Sequence, residues 1–383
     1  MEFKYYLCEE NINYGTMLVK FAVTNYRGFA QRIEWDLSKP SNYSFNTFAI
    51  KNGIIKNGIL YGPNGSGKSN FALSLFDIVN HLSQRWRPSD YYNNFVFAGK
   101  PTSLVSFEYT FRFGQDELYY TYKKGLTGII RSEKLLVNGN LVFSRTEGTQ
   151  LELSSEYPID SAVRSNLSDN VNNVSIVNFL LATYPLPANH YLFRLQEFVN
   201  SMLWFRCLEQ REFIGLVSAP INLDEYIIKE GLVKDFSSFL QRVSEQTFNF
   251  VTPAKGDRVL QCIFNSNKVT FDSIASTGTH SLMLLYYWIK QMSNASFVFI
   301  DEFDAFYHYD LSYKVCKELF LLDNCQIFTS SHNTYLMTND LLRPDCNFII
   351  NNNKIKPLTD CTDKELRFGH NIEKLFRGKA FTL

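Results

Sequence analysis

Hydrophobic and polar positions alternate with a period near two at the start of the chain and recur at helical spacing in its middle. Residues 17–23 partly alternate, Asn25-Tyr26-Arg27-Gly28-Phe29 supplies a turn, and 31–37 alternate again. That pattern predicts strands. A third strand, 58–61, runs straight into a glycine-rich loop, and 70–82 beyond it has helical periodicity. Residues 103–113 and 118–122, parted by Gly114-Gln115-Asp116, read as an antiparallel meander.

From about 155 to 245 the apolar residues of 174–181, 191–205 and 232–243 recur at helical spacing, broken by Pro185, Pro187, Pro220 and Asn222. This predicts a helical insertion with its own small core. Strands resume at 259–264 and 268–271, a helix is expected over 282–289, and 296–300 and 324–330 read as buried strands. The expected fold class is therefore α/β, a mixed sheet with an N-terminal antiparallel β subdomain and a helical insertion. Its three regions are an N-terminal lobe with the glycine-rich loop and meander (1–150), the insertion (151–250) and a second lobe (251–383).

Lys and Arg number 38 and balance 38 Asp and Glu, which excludes a global polycation that coats nucleic acid. The 34 Phe and 22 Tyr point to aromatic packing or an aromatic interface. No apolar run approaches the roughly 18 residues of a membrane span, and no secretory leader precedes the first strand. The seven cysteines are scattered without a Cys-x-x-Cys pair, a spacing that suits reduced thiols rather than a disulfide framework or structural zinc. The expected setting is cytoplasmic, with no membrane partner.

Gly62-Pro63-Asn64-Gly65-Ser66-Gly67-Lys68-Ser69 matches the phosphate-loop pattern in full, between a predicted strand and a predicted helix. Glycines let successive backbone N–H groups converge on phosphate oxygens, and a helix N-terminus adds partial positive charge. In such a loop Lys68 bridges the β- and γ-phosphates of ATP and the Ser69 hydroxyl holds Mg²⁺. The apolar run 296–300 ends in Asp301-Glu302, at the ligand-binding edge of a parallel sheet. Asp301 suits a water-mediated Mg²⁺ contact, and Glu302 is placed to orient and deprotonate an attacking water. His332, after the next strand, either donates to the γ-phosphate or is an ordinary surface histidine. Ser276 and Gly278 open the 282–289 helix and either bind an anion or cap the helix.

These motifs occur in the order of ABC-type ATPases of the SMC and RecF kind, and the 23–29 segment is similar to their N-terminal strand. More specifically the chain resembles the AAA-core proteins grouped with overcoming-lysogenization-defect and abortive-infection ATPases. The resemblance rests on Ser276-Thr277-Gly278-Thr279, on Asp301-Glu302-Phe303-Asp304 with His308, on Thr329-Ser330-Ser331-His332-Asn333, and on the tail from Glu365 to Leu375. It departs from the pattern in lacking a second signature glycine. No Gln after the phosphate loop is an obvious Q-loop residue, Gln84 and Gln115 being weak candidates, and the insertion is too short for a coiled-coil arm.

The resemblance implies head-to-head dimers that sandwich ATP, the phosphate loop of one copy facing Ser276 and Gly278 of the other. Asp304 and His308 would link the two sites. About fifty residues follow His332, too few for the TOPRIM nuclease of related proteins, and other nuclease motifs are wanting. The chain thus resembles the ATPase half of a two-component phage-defence system such as the PARIS type. That implies a homo-oligomer built from dimers, a separately encoded effector nuclease and a phage-encoded trigger protein. The alternative expectation is a RecF-like DNA-binding ATPase of repair, using a local basic stripe of Lys51, Lys56, Arg85 and Arg87 that the net charge does not indicate.

Overall fold

Strict alternation of buried and part-exposed positions along Val105–Phe113 gives a strand with one face on the core, as its sequence pattern predicts. In the computed structural model, which describes residues 15–83, 89–169, 174–206, 213–216 and 222–382, that strand is an inner strand of a seven-stranded antiparallel sheet. Its spatial order is Glu152–Leu153, Asn140–Thr146, Ile130–Val137, Asp116–Lys124, Val105–Phe113, Thr16–Thr24 and Ile33–Asp36. The meander is longer than its sequence suggested, because Ile130–Val137 and Asn140–Thr146 add a second hairpin. Asn138 and Gly139 turn it with φ of 50° and 80°, the left-handed pair that a two-residue hairpin turn requires.

A second seven-stranded sheet carries the phosphate loop. Its order is Phe213–Gly215, Leu203–Arg206, Phe297–Asp301, Gln326–Ser331, Asn57–Tyr61, Asn347–Asn351 and Lys354–Pro357. The five inner strands run parallel, and the two edges are antiparallel. Asn57–Tyr61, Phe297–Asp301 and Gln326–Ser331 are buried at every position, which is why they read as continuous runs rather than alternations.

The expected helix over 70–82 is two helices, Lys68–Leu75 and Asp77–Leu82, meeting at Phe76. Phe71, on the first, packs against Phe21, Phe29 and Trp35, while Trp35 reaches across to Phe299, Phe328 and Phe348 of the second sheet. Trp35 therefore joins the two sheets.

Residues 151–250 differ from the expected self-contained insertion. The helix expected over 191–205 ends at Asn200, and Leu203–Arg206 instead pairs in parallel with Phe297–Asp301. Phe198 packs on Phe111 and Phe113 of the antiparallel sheet, so this region shares the main core. Three apolar residues continuing a helical pattern, closed by Arg206, carry no local mark of a strand; pairing with the sheet decides it.

A buried polar network pins the antiparallel sheet to the helices. Glu133, fully buried, accepts from Arg145 Nη2 at 2.9 Å, Tyr120 Oη at 2.7 Å, Ser175 Oγ at 2.8 Å and Ile176 N at 2.9 Å. Asp77 likewise accepts from Lys124 at 2.6 Å and Tyr122 at 2.9 Å. Burying these charges is tolerable only because each is paired and hydrogen-bonded. Replacing Glu133 with Ala leaves Arg145 charged in the interior and should cost about 3–5 kcal/mol in urea unfolding; a loss below about 1 kcal/mol would mean that the network does not hold the sheet.

Candidate functional site

The loop at the end of Asn57–Tyr61 curls tightly. A Cβ on Gly62 would lie 2.5 Å from Ser66 Oγ and 2.6 Å from the Ile350 carbonyl. Gly67, at φ +98°, caps Lys68–Leu75, and a Cβ there would lie 2.7 Å from the Phe29 ring. Only glycine fits such approaches. Pro63, Asn64 and Gly65 stay exposed, while Lys68 is buried at its base. The Lys68 Nζ donates to the carbonyls of Gly62 at 2.9 Å and Pro63 at 3.2 Å. Burial pushes this ammonium below the usual lysine value, and the charges of Asp301, Glu302 and Asp304 oppose that shift.

The acidic pair arrives at the same edge through strand register. Ser331 stands opposite Tyr61, and Thr329 opposite Ile300. Asp301 is fully buried. Its Oδ1 accepts from Ser330 Oγ at 2.6 Å, and its Oδ2 from Arg206 Nε at 3.0 Å. The same Ser330 hydroxyl accepts from the Glu302 backbone N–H at 2.8 Å, holding the chain where it turns at Glu302 with φ +50°. Asp304 accepts from Ser331 Oγ at 2.6 Å; burial pushes its carboxyl up, against that hydrogen bond. His332 lies exposed just beyond. Partial burial and then the charge of Lys68 push its imidazole below the usual value, with Glu302 and Asp301 opposing, which favours a neutral ring.

Gly62–Ser69, Asp301, Glu302 and His332 thus gather at one end of the central sheet. The narrow glycine cradle, the partnerless buried hydroxyl of Ser66 among the described residues and the ammonium resting on two carbonyls suit an anionic, oxygen-rich ligand. Ser69, half-buried at the helix start, and Asp301 bring hard oxygen donors of the kind Mg²⁺ takes.

Ser276 and Gly278 are placed differently. Ser276 caps Thr277–Gln291 by accepting from Thr279 N at 3.2 Å, and Thr279 Oγ1 donates to Gln246 at 2.9 Å. No hydrogen bond among the described residues ties either position to the phosphate loop of the same chain. Gly278 instead lies against the loop after Asp304, where a Cβ would come 3.3 Å from the Phe306 carbonyl.

Gln115 sits in a turn beside Gly15, across the nine-residue strand Thr16–Thr24 from the Asn25–Phe29 turn, roughly 27 Å away. It does not serve the loop. Gln84, Arg85 and Arg87 lie outside the described residues. The basic stripe fails at its other members, because Lys56 is buried against Asp323 at 3.0 Å and Lys51 donates to the Asp323 carbonyl at 3.1 Å.

Residues 59–338 match the family model described as "AAA domain, putative AbiEii toxin, Type IV TA system". No curated protein matches the chain. Similar solved structures include the Smc head bound to the C-winged helix domain of ScpA (TM-score 0.45, 14% identity, covering 89% of this chain and 97% of that one). Others are the SMC head domain from Thermotoga maritima (0.44, 15%, 89% and 98%) and the recombination mediator protein RecF (0.40, 14%, 91% and 100%). No helix among the described residues is long and apolar enough to cross a membrane.

Arg206, Ser330 and Ser331 form the polar floor of the site and escaped the sequence reading as positioning groups. Ser330 and Ser331 flank the histidine in a visible motif, whereas Arg206 meets Asp301 only through the pairing of Leu203–Arg206 with Phe297–Asp301. Arg206→Met leaves Asp301 with Ser330 alone and should cost about 2 kcal/mol of stability. Denaturant unfolding at pH 7 reads it, and an unchanged midpoint would show that the pair contributes nothing.

Proposed function

Because the chain belongs to the AAA-domain family described as putative AbiEii toxins of type IV toxin–antitoxin systems, we propose that it is an ATP-binding and ATP-hydrolysing molecular switch in antiphage defence. Its fold is a P-loop NTPase head of the ABC type, with a mixed sheet, an N-terminal antiparallel sheet and a helical segment. The observation that carries the reading is the meeting of Lys68, Asp301 and Glu302 at one sheet edge, within each other's electrostatic reach.

The loop N–H groups from Pro63 to Ser69 would surround the phosphates of ATP. Lys68 would exchange two carbonyl partners for charged phosphate oxygens, which form stronger, charge-assisted hydrogen bonds. Ser69 and Asp301 would hold Mg²⁺, which supplies neutralisation of the charge on the transferred phosphoryl group. Arg206 and Ser330 keep the Asp301 carboxylate oriented while leaving lone pairs free. Glu302 orients the attacking water and takes its proton. A neutral His332 ring can donate one N–H to the γ-phosphate.

Two heads would enclose the nucleotide, with Ser276 and Gly278 of a second copy completing the phosphate site. That no hydrogen bond among the described residues joins them to the phosphate loop of their own chain leaves them available for this arrangement. The contact of Gly278 with the Phe306 carbonyl offers a path from that helix start to Asp304 and His308. Association would then be linked to ATP, since nucleotide binds well only where both halves meet. Such a homo-oligomer of dimers would restrain a separately encoded effector, a TOPRIM-type nuclease, until a phage-encoded trigger acts. Neutral net charge suits protein partners better than nucleic acid.

Lys68→Ala should abolish the heat of ATP–magnesium binding in calorimetry. Glu302→Gln should bind ATP as the wild type does while turnover falls about 100-fold or more. Wild-type hydrolysis by Glu302→Gln would remove the assignment of the base, and no heat with the wild-type protein would remove the nucleotide altogether.

A further inference from the structure

The tail beyond residue 361 builds a second concavity that the nucleotide site does not use. It is a groove of about 560 Å³, with Leu366, Leu375 and Ala380 as its apolar lining and Lys364, His370 and Lys374 as its polar lining. That volume lies in the range of ligand-binding clefts.

Charge in this segment is sorted. Of its three side-chain carboxylates, Glu365 is taken by Arg367 at 2.6 Å, Glu373 is taken by Arg377 at 2.7 Å, and Asp363 is not part of the groove lining. Lys364 and Lys374 have no ion-pair partner among the described residues, so the groove is left positive. His370 Nδ1 accepts from the Arg367 N–H at 3.1 Å, which in the neutral ring assigns the proton to Nε2 and makes that nitrogen a donor.

The groove is also held in shape. Buried Asn339 donates through Nδ2 to the carbonyls of Arg367 at 3.0 Å, Phe368 at 2.9 Å and His370 at 3.3 Å. Its own carbonyl accepts from Asn46 Nδ2 at 2.7 Å. The Arg377 guanidinium lies over the Tyr335 ring, 4.9 Å from its centre. Asn339 and Tyr335 belong to the segment that follows His332, so the far wall of the groove is anchored on the switch end of the central sheet.

We propose that this groove is the docking site for an acidic peptide segment of a partner protein, one that sets an apolar side chain between carboxylates. The aliphatic lining would take the side chain, while Lys364, Lys374 and the His370 N–H would take the carboxylates. Among the described residues no Phe, Tyr or Trp lines the groove, whose single ring is His370, which favours a peptide over a second nucleotide. That the partner is the effector rests on the switch reading above; the docking chemistry does not.

Fluorescence anisotropy of the full chain with a labelled peptide, two leucines alternating with three glutamates, tests it against the same peptide with lysines for glutamates. The glutamate peptide should bind saturably and the lysine peptide should not. Lys364→Glu combined with Lys374→Glu should weaken binding about tenfold or more. Gly369→Trp should block it without disturbing the fold, because no atom lies within 4 Å of a Cβ built at Gly369. Equal binding of both peptides, undiminished binding by Gly369→Trp, or full displacement by equimolar inorganic phosphate would each overturn the proposal. Run beside ATP calorimetry, the assay separates the two readings: peptide binding by a chain that takes no ATP keeps the groove and removes the switch.

Discussion

Parallel pairing of Asn57–Tyr61, Gln326–Ser331 and Phe297–Asp301 in one register is the constraint on which the site depends, since it ends all three strands at the same edge. A slip by one residue would turn every side chain to the other face. Asp301 would then leave Ser330, and Ser331 would leave Asp304. Full burial of the three strands specifies the register strongly, because the wrong face would carry polar groups into the aromatic layer around Trp35 and Phe328.

Charge at that edge is arranged with little slack. Lys68 and Arg206 face the carboxylates of Asp301, Glu302 and Asp304, and serine hydroxyls distribute the remaining hydrogen bonds. Removing one such partner costs more than the bond itself is worth, because the other is left buried and uncompensated. Lys68 is the exception that permits function. Its two partners are loop carbonyls, weaker acceptors than phosphate oxygens, so the ammonium is desolvated yet exchangeable.

The aromatic residues belong to the same economy of burial. Phe71 sits one turn into the helix that follows the loop and packs on the antiparallel sheet, so the position of the phosphate loop is tied to the packing of Phe21, Phe29 and Trp35. At the far end of that helical pair, Asp77 joins the buried network of the antiparallel sheet through Tyr122 and Lys124. Side chains in fixed contact thus connect the site to the sheet.

The sequence by itself determined the phosphate loop, the acidic strand end and the buried strands 58–61, 296–300 and 324–330. Those signals are local: glycines at fixed spacing, and an apolar run closed by two carboxylates. The second hairpin had a local signal too, in Asn138-Gly139 between apolar runs, and it went unread. Tertiary structure alone decided that Leu203–Arg206 is a strand and that Arg206 meets Asp301, 95 residues away. It also decided that Lys56 serves Asp323 rather than a basic stripe and that Ser276 caps its own helix. Such choices turn on which partner a group finds after the chain has closed on itself, and neither propensity nor periodicity carries that information.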